Sequence, residues 1–133
     1  LLFQNPENQF LQQTVWDEID QHTRDPAKTE SILHQFQLSS YARYHPFQLS
    51  MGEKRMLSLA AAFAASPDVL LLDEPTLGLD TKQTFLIIQQ LIAFQQKGGT
   101  ILMITHDREV AKRFGTQYWH LSNQQLVVQK GTF

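Results

Sequence analysis

Two short polar segments in this chain follow apolar runs, and both carry residue types suited to phosphate chemistry. Asp73-Glu74 comes directly after Val69-Leu70-Leu71-Leu72, and Thr105-His106-Asp107 directly after Ile101-Leu102-Met103-Ile104. A carboxylate on a rigid strand end can help hold a hard cation, and a second one beside it can polarise a water. Gln4 follows Leu1-Leu2-Phe3, which reads as the tail of another buried strand. Ligands of open parallel sheets bind beyond the carboxyl ends of the strands. Gln4, Asp73, Glu74 and His106 are therefore expected to converge at one sheet edge, a set suited to a magnesium-bound phosphate and an activated water. Leu49-Ser50-Met51-Gly52-Glu53 offers an anion site of another kind, a helix N-terminus with a serine and a glycine without a side chain.

Each feature also has a purely structural reading. Asp73-Glu74-Pro75 can be a polar stop to a strand, with Pro75 biasing Glu74 towards an extended backbone. Thr105 and Asp107 can cap the next helix, and His106 can be a loop residue between them. Ser50 and Glu53 complete a capping box with no ligand needed. The remaining histidines, His22, His34, His45 and His120, show no ligand spacing and read as surface or packing residues.

The elements that position these residues are legible from periodicity. Val15, Trp16 and Ile19 share one face of a helix over Thr14–His22, and Asp25-Pro26 supplies an N-cap followed by proline at the first helical position. Ile32, Leu33 and Phe36 continue an apolar stripe to Leu38, and a turn follows through Tyr41–Pro46. A helix is expected from Ser50 to Ala65, ending at Ser66-Pro67. Val69–Leu72 and Ile101–Ile104 read as strands covered on both faces, because their apolar runs are uninterrupted. Between them, Asp80 to Lys97 reads as a helix with Phe85, Ile88, Leu91 and Ile92 inward, closed by Gly98-Gly99. A short helix over Arg108–Phe114 and late strands over Tyr118–Leu121 and Leu126–Gln129 complete the chain. Strand–helix–strand order implies an α/β protein with a parallel sheet.

Composition narrows the classes. The chain has 133 residues, 42% hydrophobic and 18% charged, as for one ordinary folded domain. Its net charge is −2 and its cations are scattered, which disfavours nucleic acid as a main partner. It has no cysteine, so disulfides and thiolate sites are excluded. The longest nearly apolar stretch, Met56 to Ala65, is too short to span a bilayer. No repeat of solenoid period occurs. Without an initiator methionine, and opening on a strand tail, the sequence is expected to be a piece of a longer chain.

Taken in order, Phe3-Gln4-Asn5-Pro6-Glu7, Leu49-Ser50-Met51-Gly52-Glu53-Lys54-Arg55, Val69-Leu70-Leu71-Leu72-Asp73-Glu74-Pro75-Thr76, Leu77-Gly78-Leu79-Asp80 and Thr105-His106-Asp107 resemble the ATP-binding cassette (ABC) family over essentially the whole chain. The resemblance implies a P-loop NTPase-like fold, a parallel sheet with flanking helices plus a helical subdomain. It implies residues 1–7 as strand end and Q-loop, 8–48 as the helical subdomain, and 49–133 as part of the α/β core. Gln4 resembles the Q-loop glutamine that senses magnesium. Ser50, Gly52 and Glu53 match the signature that grips the terminal phosphate of ATP held by the opposite subunit. Asp73 matches the Walker B aspartate oriented to magnesium, and Glu74 the general base. Asp80 is similar to the D-loop aspartate at the dimer seam, and His106 to the switch histidine near the γ-phosphate. ATP and magnesium are the implied cofactors. The implied partners are a second ATPase subunit or domain and a transmembrane coupling subunit, and the implied location is the cytoplasmic face of the membrane.

The sequence also departs from the family. Met51 stands for the first signature glycine, Glu53 for the usual glutamine, and Met56 where an arginine is common. No Gly-x-x-x-x-Gly-Lys-Ser/Thr loop occurs in the 133 residues; in the family it lies upstream of the Q-loop. The chain alone is therefore expected to bind ATP poorly and not to hydrolyse it. Phe3–Gln9, Thr14-Val15 and Asp17-Glu18 are similar to ATPases of energy-coupling-factor (ECF) transporters, importers of vitamins and of cobalt or nickel. Two alternatives stand beside transport: a cassette acting on DNA or ribosomes, and a decayed cassette that lends only its signature to a partner.

Overall fold

The computed structural model describes residues 9–122 and 125–130. Gln4 and the rest of the segment up to residue 8 lie outside the described residues, as does Asn123 of the expected final turn.

Helix α1 (Val15–Thr23) begins at Thr14, whose Oγ1 accepts the Asp17 N–H at 3.0 Å. Its first two N–H groups, which have no partner within the helix, donate to Tyr44 O and Ala42 O, both at 2.9 Å. Val15 and Ile19 are fully buried, and Trp16 packs against the same cluster. Helix α2 (Pro26–Gln35) has Asp25 as N-cap and proline in its first turn, as expected. Leu33, Phe36 and Leu38 are buried behind it. Short 3₁₀ turns at Ser39–Tyr41 and Pro46–Gln48 lead to α3 (Met51–Ala64). Met56, Leu57, Leu59 and Ala60 fill the centre of the core from α3. Leu57 and Leu59 are fully buried, each stabilising the fold by about 1.5–3 kcal/mol.

Strand β1 (Val69–Asp73) pairs in parallel with β2 (Thr100–Ile104), the two joined through α4 (Thr81–Gln96). Helix α4 ends on Gly98 at φ +90, where Gly98 and Gly99 donate to Gln95 O (2.9 Å) and Phe94 O (3.1 Å). That pattern satisfies the last carbonyls and turns the chain into β2. Helix α5 (Arg108–Phe114) leads to β3 (Gln117–Ser122) and β4 (Gln125–Lys130), an antiparallel pair.

Two expectations about burial are corrected. Leu70 and Leu72 face the core at 2% and 3% exposure, but Val69 and Leu71 are exposed at 51% and 39%. On β2, Leu102 and Ile104 are likewise exposed, at 45% and 66%. The apolar run reports two faces suited to burial, and the described residues cover one of them. On α4 the buried stripe is Ile87, Ile88 and Leu91, while Phe85 is 64% exposed. At 100° per residue Phe85 lies about 110° around the helix from the middle of that stripe, outside its edge at Ile88.

Candidate functional site

The carboxyl ends of β1 and β2 do bring chemistry together. Glu74, one residue past β1, donates its N–H to Ile104 O at 2.9 Å and so extends the parallel ladder. Its carboxylate Oε1 accepts the His106 N–H at 2.9 Å and lies 2.8 Å from His106 Nδ1. Oε2 accepts from Thr105 Oγ1 at 3.3 Å. The Glu74 side chain is 14% exposed and that of His106 74%, so the acid sits within the ledge and the imidazole stands over it. The hydrogen bond with Glu74, then its charge, raises the His106 pKa above its ordinary value, with a smaller push from Asp107.

Glu74 is not extended, contrary to the expectation from Pro75: its φ is +47. A non-glycine residue in the left-handed region costs about 1–3 kcal/mol, and such residues cluster at functional sites. Bonds from β2, from α3 and within the turn outweigh the proline's bias. Besides the N–H bond to Ile104, the Glu74 carbonyl accepts the Leu77 N–H at 3.2 Å and Arg55 Nη1 at 3.0 Å.

Asp73 closes β1 opposite Ile104, half-buried beside this turn. Arg55 on α3 is 4% exposed; burial lowers its pKa while the charges of Asp73 and Glu74 oppose that shift. A guanidinium stays charged regardless. Among the described residues no group of three or more His, Cys, Asp or Glu could hold a metal by itself. A magnesium ion bridged by phosphates needs only one or two carboxylates, so a single aspartate at a strand end fits that kind of binding.

At the start of α3 the capping box is complete: Ser50 Oγ accepts the Glu53 N–H at 3.3 Å, and Glu53 Oε2 accepts the Ser50 N–H at 2.7 Å. Tyr41 also hydrogen-bonds Glu53, which lowers the Glu53 pKa and raises that of Tyr41. Glu53 is half-buried, while Ser50 and Met51 are exposed. Gly52 is buried under Gln83: a Cβ there would meet the Gln83 amide atoms at 2.5 Å. Asp80 caps α4 by accepting the Gln83 N–H at 2.7 Å, so Gln83 joins the start of α3 to the start of α4. Asp107 caps α5, and Thr105 Oγ1 accepts the Asp107 N–H at 3.0 Å, so the capping reading of His106's neighbours holds beside the Thr105 contact with Glu74.

Clefts of about 240 and 320 Å³ lie elsewhere, lined by residues that include Tyr41, Glu53 and Asp80 in one case and Phe10, Glu18 and Ser58 in the other. Neither includes Glu74 or His106, whose site is an open ledge. Of the expected site residues the structure brings Glu74 and His106 into contact, sets Asp73 beside them, and places Ser50, Gly52, Glu53 and Asp80 around the starts of α3 and α4. Sequence reading missed Arg55, Gln83 and Tyr41. The one available signal was Arg55, a cation at the head of a helix that otherwise turns apolar.

Residues 2–111 match the family described as "AAA domain, putative AbiEii toxin, Type IV TA system". The chain belongs to this family of AAA-domain proteins and is an ABC transporter ATPase-like domain. It is 39% identical over 117 residues to the "Putative HMP/thiamine import ATP-binding protein YkoD" of Bacillus subtilis, covering 85% of this chain and 21% of that protein. It is 33% identical over 139 residues to the "Putative ABC transporter ATP-binding protein TTE0246" of Caldanaerobacter subterraneus, covering 98% of this chain and 57% of that one. Its fold matches the dimeric ATP-binding cassette MJ0796 bound to ADP and Pi, with a TM-score of 0.83, 28% identity, and coverage of 97% and 61% of the two chains. It also matches CbiO1 of Clostridium perfringens, part of the CbiONQ transporter complex, with a TM-score of 0.79, 24% identity and coverage of 97% and 55%, a likeness of fold. The fold is thus that of a P-loop NTPase of the ABC type. The chain spans between about a fifth and three fifths of the length of these relatives.

Proposed function

We propose that this chain is the signature-bearing part of an ATPase that powers solute import, of the ECF type. The observation that carries the reading is the Glu74–His106 pair at the ends of two parallel strands, with Asp73 one residue before it. On this reading residues 1–7 are assigned to the Q-loop segment, 8–48 to the helical subdomain that meets a membrane partner, and 49–133 to the remaining core.

Bound ATP with magnesium supplies the phosphoanhydride to be cleaved. Asp73 and Gln4 are the residues that would hold the metal. Glu74 takes the proton of the attacking water, and its left-handed main chain aims the carboxylate across the sheet edge. His106 steadies that carboxylate through Nδ1 and leaves Nε2 for a phosphate oxygen. Ser50 presents the exposed start of α3 to a phosphate held by a second cassette, with Gly52 beside it beneath Gln83, Glu53 fixing the Ser50 main chain and Asp80 at the seam. Positioning and charge stabilisation carry most of the catalysis in phosphoryl transfer, and this arrangement supplies both. Import is favoured over action on nucleic acid by the net charge of −2, with the cations scattered along the sequence. The likeness to YkoD, named for HMP/thiamine import, supports the same choice.

The test is uptake. The full-length protein, reconstituted in vesicles with its transmembrane partner, should couple ATP hydrolysis to solute accumulation, and double-stranded DNA or ribosomes should leave the rate unchanged. Hydrolysis stimulated by DNA or ribosomes and indifferent to the membrane partner would overturn the transport reading.

A further inference from the structure

Glu74 combines two features that need explanation together. It occupies the left-handed region at φ +47, and its carboxylate is the hub of the contacts with Thr105 and His106. A glutamate held there must be constrained by its surroundings, because the relaxed backbone would lie elsewhere. Its N–H is fixed by Ile104 O at 2.9 Å, within the strand ladder. Its carbonyl is fixed by the Leu77 N–H at 3.2 Å and by the Arg55 guanidinium at 3.0 Å. The first two bonds are made by the turn and the sheet themselves. The third comes from a different element, nineteen residues earlier in sequence.

We infer that Arg55 is a positioning residue for hydrolysis: fixed within the fold on α3, it clamps the Glu74 main chain in the conformation that delivers the carboxylate to the ledge. This rests on the reading of Glu74 as the base. Arg55 is only 4% exposed, and a charge buried to that degree needs hydrogen-bond and charge partners. Here its Nη1 reaches a main-chain carbonyl, and Asp73 and Glu74 are the acidic groups whose charges act on it. The planar, permanently charged guanidinium suits this work, since its direction is set by a stiff fork and not by a freely rotating ammonium. Helix α3 also carries Ser50 at its head, so the element offered to the partner's phosphate is the one that holds this chain's own Glu74.

The experiment uses the full-length ATPase, with Arg55→Met and Arg55→Gln to remove the clamp and Arg55→Lys to return a cation. Glu74→Gln serves as the control. Steady-state hydrolysis and circular dichroism are measured on each. A misplacement on the order of 1 Å costs up to about 100-fold in rate, so kcat should fall about 10- to 100-fold in the Met and Gln variants. KM for ATP should stay within about twofold, because Arg55 is not placed on the nucleotide, and the Lys variant should recover part of kcat. If the Met variant fails to fold, the Gln variant is read in the same way. A wild-type kcat in a folded Met or Gln variant, with Glu74→Gln inactive, sinks the role of Arg55 and leaves Glu74 as base. A loss that tracks the folded fraction, or a matching rise in KM without recovery by Lys, makes Arg55 structural only. Hydrolysis by Glu74→Gln at the wild-type rate removes the base reading itself.

Discussion

Replacing Glu74 by Gln in the full-length protein separates chemistry from architecture. Glutamine keeps the length and shape of the side chain, and its carbonyl oxygen can still accept the His106 N–H that Oε1 now accepts at 2.9 Å. Its NH₂ would meet Thr105 Oγ1, at present 3.3 Å from Oε2, with the hydroxyl turned to accept. Exchanging a charged acceptor for a neutral one weakens each of these bonds by about 1 kcal/mol, so the fold should survive with a modestly lower melting temperature. Loss of a general base is worth about 10²–10⁴ in rate, or ~3–5 kcal/mol in the barrier. Hydrolysis should therefore nearly vanish while ATP binding persists and an ATP-bound dimer accumulates, read by phosphate release and by size-exclusion chromatography with Mg-ATP. The same variant has a pH signature. The Glu74 carboxylate raises the His106 pKa, so the stabilisation from protonated His106 is complete below the ordinary histidine value and lost as pH rises through the raised one. In Glu74→Gln the His106 midpoint, followed by NMR, should fall towards the ordinary value. Near-wild-type hydrolysis would refute the role of Glu74 as base, and an unmoved His106 midpoint would refute the pairing seen here.

Two further outcomes follow from the geometry. Ser50→Asn keeps a competent cap for α3, so melting should barely change, yet hydrolysis should drop sharply if the exposed head of α3 grips a partner's phosphate; parallel losses of melting temperature and activity would leave Ser50 as a cap alone. The 133-residue chain, which contains no phosphate-binding loop, should show no saturable micromolar binding of Mg-ATP by calorimetry. About three charge-assisted bonds to phosphate at roughly 1.5–3 kcal/mol each amount to ~5–9 kcal/mol, or about four to six orders of magnitude in affinity; micromolar binding would show that another segment grips phosphate.

What the sequence determined by itself was local and periodic. Asp25, Ser50 and Asp107 are caps because a short polar side chain ahead of a helical repeat satisfies N–H groups only a few residues away. The order strand, Asp-Glu, helix, strand, His likewise fixed that Glu74 and His106 would share an edge, since parallel strands joined by one helix end on the same side. Tertiary structure decided the rest. Pro75 argued for an extended Glu74, but bonds from Ile104 and Arg55, thirty and nineteen residues away in sequence, hold it left-handed. Apolar runs marked β1 and β2 as suited to burial on both faces, yet which face is covered depends on where α3 and α4 pack. Gly52 looked like an opening for an anion, and only the fold showed Gln83 lying across it. Periodicity sees neighbours along the chain; the conformation of Glu74 is set by atoms that folding alone brings near.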